Sequence, residues 1–333
     1  SGNVAALQQI CDEEQVELAD LGHFGTENAE LVLNYRGGEV GRLSMAFLHD
    51  GIPMPTREAK WEKPTVEVKS APVGTDEIHI EKTLLKLLAD PNIASKRWIV
   101  RQYDHEVQGN TIIKPLVGPM GDGPGDAAVI QPVPGSKKGL AIACGMATSL
   151  GDPAKDGDPY LMALGAIDEC VRNLVCVGAD PSRIAILDNF CWPSCDKPEN
   201  MGSLVRAAEG CYDGAKAYRT PFISGKDSLH NQFRTDDGRL IEIPPTLLIS
   251  GVGIVPDVSK CVTMDFKRID SVIVLVGWPE GISEVHAHHF SDQPRSRVSE
   301  SVEPDDNEDD FGPENARTVS KLIANGLVLS AHD

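Results

Sequence analysis

The chain has 333 residues, and 31 Lys and Arg stand against 50 Asp and Glu, for a formal charge of −19. That balance excludes the basic footprint a nucleic-acid-binding surface needs. The hydrophobic share of 41% supports a packed core, and no apolar run approaches the ~18 residues of a membrane span.

Residues 1 to about 57 read as the end of a domain. A helix over Val4 to Val16 leads to an alternating strand, Ala29 to Tyr35. Gly37-Gly38 and a second strand near Gly41 to Phe47 complete a hairpin. From Arg57 to about Val73 the chain is rich in Lys, Glu and Pro, which predicts a linker over the surface. Glu81 to Asp90 is a short amphipathic helix that stops at Asp90-Pro91.

A second domain opens near Ala94. Arg101 to Thr111, RQYDHEVQGNT, carries Tyr103, Asp104 and His105. In an extended strand these neighbours point to opposite faces, so the three cannot meet one substrate. The glycine-rich run from Gly118 to Asp126 enters a strand at Ala127; it can present N–H groups to phosphate or form a tight turn. Gly139 to Ala147 is a strand and Asp152 to Asp158 a polar loop. Asp158-Pro159 opens a long helix, with Asp as the N-cap and Pro at the first helical position. Its stripe is Leu161, Leu164, Ile167, Val171, Leu174 and Val175, and Gly178 marks its stop. Glu169 and Asn173, four apart on the opposite face, can reach one ion or form a solvated polar face.

Ile184 to Leu187 is a short strand that ends at Asp188-Asn189. A helix follows from about Asn200 to Tyr218. Phe222-Ile223-Ser224 then runs into Gly225-Lys226-Asp227-Ser228. Two polar clusters thus stand at strand ends, one crossover apart, where ligands collect in layered α/β proteins. This is not a Walker A loop, because Thr220 stands five before Gly225 and Asp227 follows Lys226. A polar turn is the plain alternative. Thr246 to Val255 is a long apolar strand.

A third region begins with a predicted strand, Ser271 to Gly277. His286, His288 and His289 read as a polar loop, lacking a partner at ligand spacing. Ser299 to Glu314 is an acidic loop, Asn315 to Gly326 an amphipathic helix, and the chain ends Ala331-His332-Asp333. The eight cysteines form no CxxC pair, and such scattered thiols favour a reducing, cytoplasmic setting.

Three motifs occur in a recognisable order: RQYDHEVQGNT, GPGDAAVI (Gly123 to Ile130) and SGKDSLHNQF (Ser224 to Phe233). Together they resemble the synthetase portion of phosphoribosylformylglycinamidine (FGAM) synthase. The resemblance implies an α/β, PurM-like architecture in two fused halves. Residues 1–57 would close the first half and 58–93 would be a linker. Residues 94–258 would form the mixed-sheet, nucleotide-binding domain of the second half, and 259–333 the start of its C-terminal domain.

It also implies a reaction in which ATP activates the amide oxygen of formylglycinamide ribonucleotide and glutamine-derived ammonia displaces the phosphate. Partners would be the missing first half, a glutaminase and a small bridging subunit, with no nucleic acid and no membrane. By the same resemblance Asp188 and Gly225 match ATP contacts and Ser228 a substrate contact. Glu169, Asn173 and Asp333 match ligands of an auxiliary Mg²⁺ beside ATP or ADP. Lys226 stands where the three-subunit form has a magnesium-binding Asn. An ammonium cannot ligate a metal, so Lys226 becomes a candidate to neutralise phosphate. The catalytic histidine is expected before Ser1. The alternatives are a nucleotide-binding half without turnover, and another PurM-type synthetase.

Overall fold

The computed structural model describes residues 3–25, 28–64, 77–153, 157–277 and 311–333, and these fall into two compact units, 1–56 and 57–333. In the first unit α1 (Val4–Glu13) precedes the hairpin of β1 (Glu30–Tyr35) and β2 (Gly38–Ser44). Arg36 and Gly37 turn it with φ of 48° and 81°, the left-handed pair that matches the twist of a tight hairpin. The second strand ends earlier than its apolar pattern suggests. Ser44 accepts a hydrogen bond from the Phe47 N–H and caps α2 (Met45–Asp50), so Met45 to Phe47 are helical.

In the second unit, residues 57–64 lie without regular structure against a helix start. The Lys60 N–H donates to Pro198 O at 2.9 Å, and Arg57 pairs with Asp196. Next come α3 (Glu77–Ala89), ending before Asp90-Pro91, and α4 (Arg97–Val100). Tyr103, Asp104 and His105 are not in a strand. They lie in a turn-rich loop with positive φ at Asp104, Gln108 and Gly109, and pairing begins only at Thr111.

The strands that follow are β3 (Thr111–Ile113), the small hairpin β4 (Leu116–Val117) and β5 (Gly123–Pro124), β6 (Ala128–Ile130) and β7 (Gly139–Gly145). Helix α5 (Pro159–Cys176) starts as the Asp158-Pro159 pair requires, with the Asp158 side chain accepting from the Tyr160 N–H. Then come β8 (Ile184–Cys191), α6 (Pro198–Tyr218), β9 (Phe222–Ser228), the hairpin β10 (Gln232–Arg234) and β11 (Leu240–Glu242), β12 (Thr246–Val255) and α7 (Phe311–Ala324).

The main sheet has the order β3-β6-β7-β12-β8-β9, antiparallel except for the β8–β9 pair that α6 joins. It is the mixed sheet of an α/β fold. One face packs on α5 and α6. Ile186, Leu247 and Ile249 of the sheet, and Met162, Ile167, Val171 and Leu174 of α5, lose essentially all solvent contact. Each such side chain contributes about 1.5–3 kcal/mol.

Close approach replaces bulk where elements touch. A Cβ on Gly145 would sit 2.6 Å from the Cys170 nitrogen and closer still to the Ala166 carbonyl, both in α5. Burial surrounds α5 more widely than its predicted stripe, taking in Ala163, Ala166, Cys170 and Asn173, while Leu161 is half exposed.

Three further expectations change. Strand β8 does not end at Leu187. It runs on through Asp188 and Asn189 to Cys191, because those polar residues pair with Ile249 and Leu248 of β12. For the same reason Gly225 to Ser228 are strand rather than turn, paired with Asp188 to Cys191. Ser271 to Gly277 make no strand. They join no ladder, and Val272 to Leu275 are exposed. His286, His288 and His289 lie outside the described residues, as does most of the acidic stretch, whose Glu314 falls in the first turn of α7.

Candidate functional site

Register brings the first pair of candidates together. Asp188 and Gly225 are direct partners across the parallel β8–β9 ladder. A Cβ on Gly225 would lie 2.6 and 2.7 Å from the two Asp188 carboxylate oxygens, so the bare glycine makes the space the carboxylate occupies. That carboxylate accepts the Lys226 backbone N–H, and burial followed by the nearby Asp227 charge raises its pKa. It faces α6, where the Cys211 thiol is pushed up to about 12 by burial and by Asp188.

Side chains alternate along a strand. Lys226 and Ser228 therefore stand on the opposite face of the sheet from Asp188 and Gly225, and Lys226 Nζ donates to Ser228 Oγ. The two strand-end clusters read from sequence as one site divide differently in the structure, with Asp188 and Gly225 on one face and Lys226 and Ser228 on the other. Gly225→Ala is expected to turn the Asp188 carboxylate aside while leaving most of the fold intact. On the expectation from the resemblance that Asp188 contacts nucleotide, affinity should fall tenfold or more in calorimetry with a thermal midpoint within a few degrees of the parent. An alanine that binds as the parent does would show that Asp188 is not a nucleotide contact.

The second group gathers on α5. The Glu169 carboxylate accepts the Met146 N–H at 2.7 Å, and the Asn173 amide nitrogen donates to Cys144 O at 3.0 Å. This face is no solvated surface. It clamps the end of β7, and Asn173 is buried. Burial and then the Glu169 charge raise the Cys144 pKa. Asp333 reaches the same helix one residue away, pairing with Arg172 Nη1 at 3.1 Å.

The structure adds a residue that the sequence did not single out, Asp126. Donor atoms of Asp126, His332 and Asp333 lie within 4.8 Å of one another. His332 Nδ1 is 2.6 Å from Asp126 Oδ1, and the Asp333 N–H donates to the same oxygen at 3.3 Å. This bond to Asp126 raises the His332 pKa, and burial raises that of Asp333 against the pull of Arg172. Asp126 is 206 residues from His332 in sequence. Its signal was an acid closing a glycine run before a buried strand, which could not be matched to a partner so far away.

The donors fit a hard cation. The Asp126 side chain is 2% exposed, and its Oδ2 is buried without a hydrogen-bond partner. An unsatisfied buried carboxylate oxygen is costly, and a cation would satisfy it. Asn173 donates through its nitrogen, which leaves its oxygen as a donor to metal. Carboxylate and amide oxygens suit Mg²⁺.

The glycine-rich run folds into the β4–β5 hairpin, and the Gly121 carbonyl accepts from Arg101 Nη2 at 3.0 Å. An open cavity of about 520 Å³ beneath it is lined by Lys114, Leu116, Gly118 and Asp265 among others, and by none of the candidates above.

A sheet of this order, backed by two long helices with acidic side chains at their margins, defines a class. Residues 124–255 match the family "AIR synthase related protein, N-terminal domain", and the fold is PurM-like.

Within that class the chain is similar to phosphoribosylformylglycinamidine synthase subunit PurL. It is 36% identical over 257 residues to the subunit of Synechococcus sp. (strain CC9902), an alignment covering 75% of this chain and 32% of the relative. It is 32% identical over 347 aligned residues to that of Anaeromyxobacter sp. (strain Fw109-5), covering 100% and 41%. The structure of PurLQS from Thermotoga maritima aligns at 22% identity with a TM-score of 0.49, over 72% of this chain and 34% of the other. The chain is similar to PurL-type FGAM synthase subunits, and it spans about a third to two fifths of the curated relatives' length. Among the described residues no helix is long and apolar enough to cross a membrane.

Proposed function

We propose that this chain forms part of the ATP-dependent amidoligase that converts formylglycinamide ribonucleotide and glutamine-derived ammonia into the amidine. The similarity to PurL subunits carries the reading, because one alignment extends over the whole chain at 32% identity. Residues 94–258 are the nucleotide-binding domain of this proposal; 1–57 close the first-half C-terminal domain, 58–93 are a linker, and 259–333 begin the second-half C-terminal domain. Asp188 and Gly225 contact the nucleotide from the helix-covered face. Ser228 and Lys226 face the other way, toward ribonucleotide phosphate, with Lys226 serving as a point charge.

The auxiliary cation of this proposal is Mg²⁺, which Glu169, Asn173 and Asp333 would hold, with Asp126 beside Asp333 as a further oxygen donor. When bound it would neutralise nucleotide phosphate. The residues themselves orient it: Glu169 and Asn173 are fixed on the end of β7, and Asp333 on α5. The remaining machinery, including the catalytic histidine, belongs to a first half, and ammonia arrives from a glutaminase with a small bridging subunit, in the cytoplasm.

Calorimetry with ATP and ADP, with and without Mg²⁺, tests this. Mg²⁺-dependent binding is expected, reduced about 100-fold or more by Glu169→Ala. Asp188→Ala separates the two nucleotide positions: binding that survives it belongs to the Glu169 site alone. A folded chain that binds neither nucleotide would remove the auxiliary site from the proposal.

A second reading, a nucleotide-holding half without turnover, is favoured by one observation. By the resemblance Lys226 stands where the three-subunit form has a magnesium-binding Asn, while Asp126, Glu169, Asn173 and Asp333 all offer oxygen donors.

A further inference from the structure

Arg172 is an arginine placed beside the proposed magnesium ligands, and nothing so far gives it a task. It lies on α5 between Glu169 and Asn173, and its side chain is 23% exposed. Its Nε donates to Asp168 Oδ2 at 2.7 Å, and its Nη1 donates to Asp333 Oδ2 at 3.1 Å. The other Asp168 oxygen accepts from Tyr218 Oη of α6. Helix α7 packs over this arrangement so closely that a Cβ on Gly312 would lie 3.1 Å from Tyr218 Cζ and 3.3 Å from Asp168 Oδ1.

We propose that Arg172 is a positioning residue that aims Asp333 at the divalent cation, with Asp168 and Tyr218 holding Arg172 for that purpose. The proposal rests on the magnesium reading above. Three observations carry it. Arg172 takes one oxygen of Asp333 and leaves Oδ1, which lies 3.7 Å from His332 Nδ1 on the side of Asp126. Asp126 there presents its buried Oδ2 with no partner. Arg172 also arrives already neutralised. Paired with Asp168, it offers N–H donors with little net charge, so it can orient a ligand without repelling the cation beside it. Both Asp168 oxygens are engaged, one by Arg172 and one by Tyr218, which fixes the fork from behind. Outer partners of this kind orient ligands and tune metal affinity. A lysine could supply charge but not the planar fork that spans two carboxylates.

The test is binding of Mn²⁺, followed by electron paramagnetic resonance, and of Mg²⁺ by calorimetry, on the whole chain. Arg172→Met should weaken Mn²⁺ binding by about 10- to 100-fold, Arg172→Lys should recover part of that loss, and Tyr218→Phe should cost a few-fold. A double-mutant cycle separates positioning from general support. In an Asp333→Asn background Arg172→Met should have almost no further effect, because the ligand it aims is gone. Circular dichroism at the titration temperature keeps the comparison to folded protein.

Arg172→Met binding as tightly as the parent, or more tightly, overturns the proposal, as do losses that simply add in the cycle. Those outcomes leave the metal site standing. Absence of any Mn²⁺ or Mg²⁺ binding by the parent chain, or indifference to Asp126→Asn, removes the metal reading and this inference with it.

Discussion

Gly145→Ala is expected to destabilise the sheet domain by about 3 kcal/mol, the upper end of what overpacking costs. The added Cβ would meet the backbone of α5, its nearest atoms being the Ala166 carbonyl and the Cys170 nitrogen. Backbone cannot swing aside as a long side chain can, so the helix itself would have to move. The damage should not stop at stability. Helix α5 carries Glu169 and Asn173, which grip Met146 and Cys144 on either side of position 145. Urea unfolding should show a lower midpoint with an unchanged slope, and any cation affinity should fall together with it. A Gly145→Ala chain as stable as the parent would mean that α5 and β7 are not in the contact described.

Trp192→Ala should cost about 3–5 kcal/mol, as expected for emptying a fully buried aromatic site. The Trp192 ring has no solvent exposure, lies 5.3 Å from the Phe190 ring centroid, and donates through Nε1 to Ser203 Oγ at 2.9 Å. Its backbone adds a clasp, with its N–H donating to Ser228 O and its carbonyl accepting from Asn231. Trp192 thereby ties the end of β8 to the end of β9, an edge strand held on one side only. Against a total stability of about 5–15 kcal/mol, such a loss would leave a marginal domain, measurable as a drop in thermal midpoint. Trp192→Phe should recover most of the packing but not the bond to Ser203. A cost below about 1 kcal/mol for Trp192→Ala would show that the pocket collapses around the smaller residue.

Some of this was legible in the residues. Helix α5 begins where Asp158-Pro159 says it should, because a side-chain cap and a proline leave few other starts. Strand β12 was read to its end residues, since its apolar run is long and uninterrupted. The extents of β8 and β9 were not legible. Asp188-Asn189 and Gly225 to Ser228 look like turns by composition, and only the neighbouring strands reveal that they are paired. That hidden pairing also divided the candidate site, because strand alternation sends Lys226 and Ser228 away from Asp188. Ser271 to Gly277 failed the other way: an apolar run looks like a strand, but a strand needs a ladder to join. The Asp126 contact depended on residues 206 apart in sequence, a separation at which local patterns carry no information.

The position of β12 has a consequence for synthesis on the ribosome. β7 and β8 are both made before it, yet each meets the other only through β12, the last strand of the sheet in sequence. The β3-β6-β7 section and the β8–β9 pair can each begin to form as they emerge. Neither can bury its open edge until residues 246–255 arrive to join them. At roughly 5–20 residues per second, the edge of β7 waits on the order of ten seconds for its neighbour. During that interval the nascent chain presents unpaired strand edges. The edges of β7 and β8 that face each other are thus exposed only until β12 is made, while β3 and β9 remain the edges of the finished sheet.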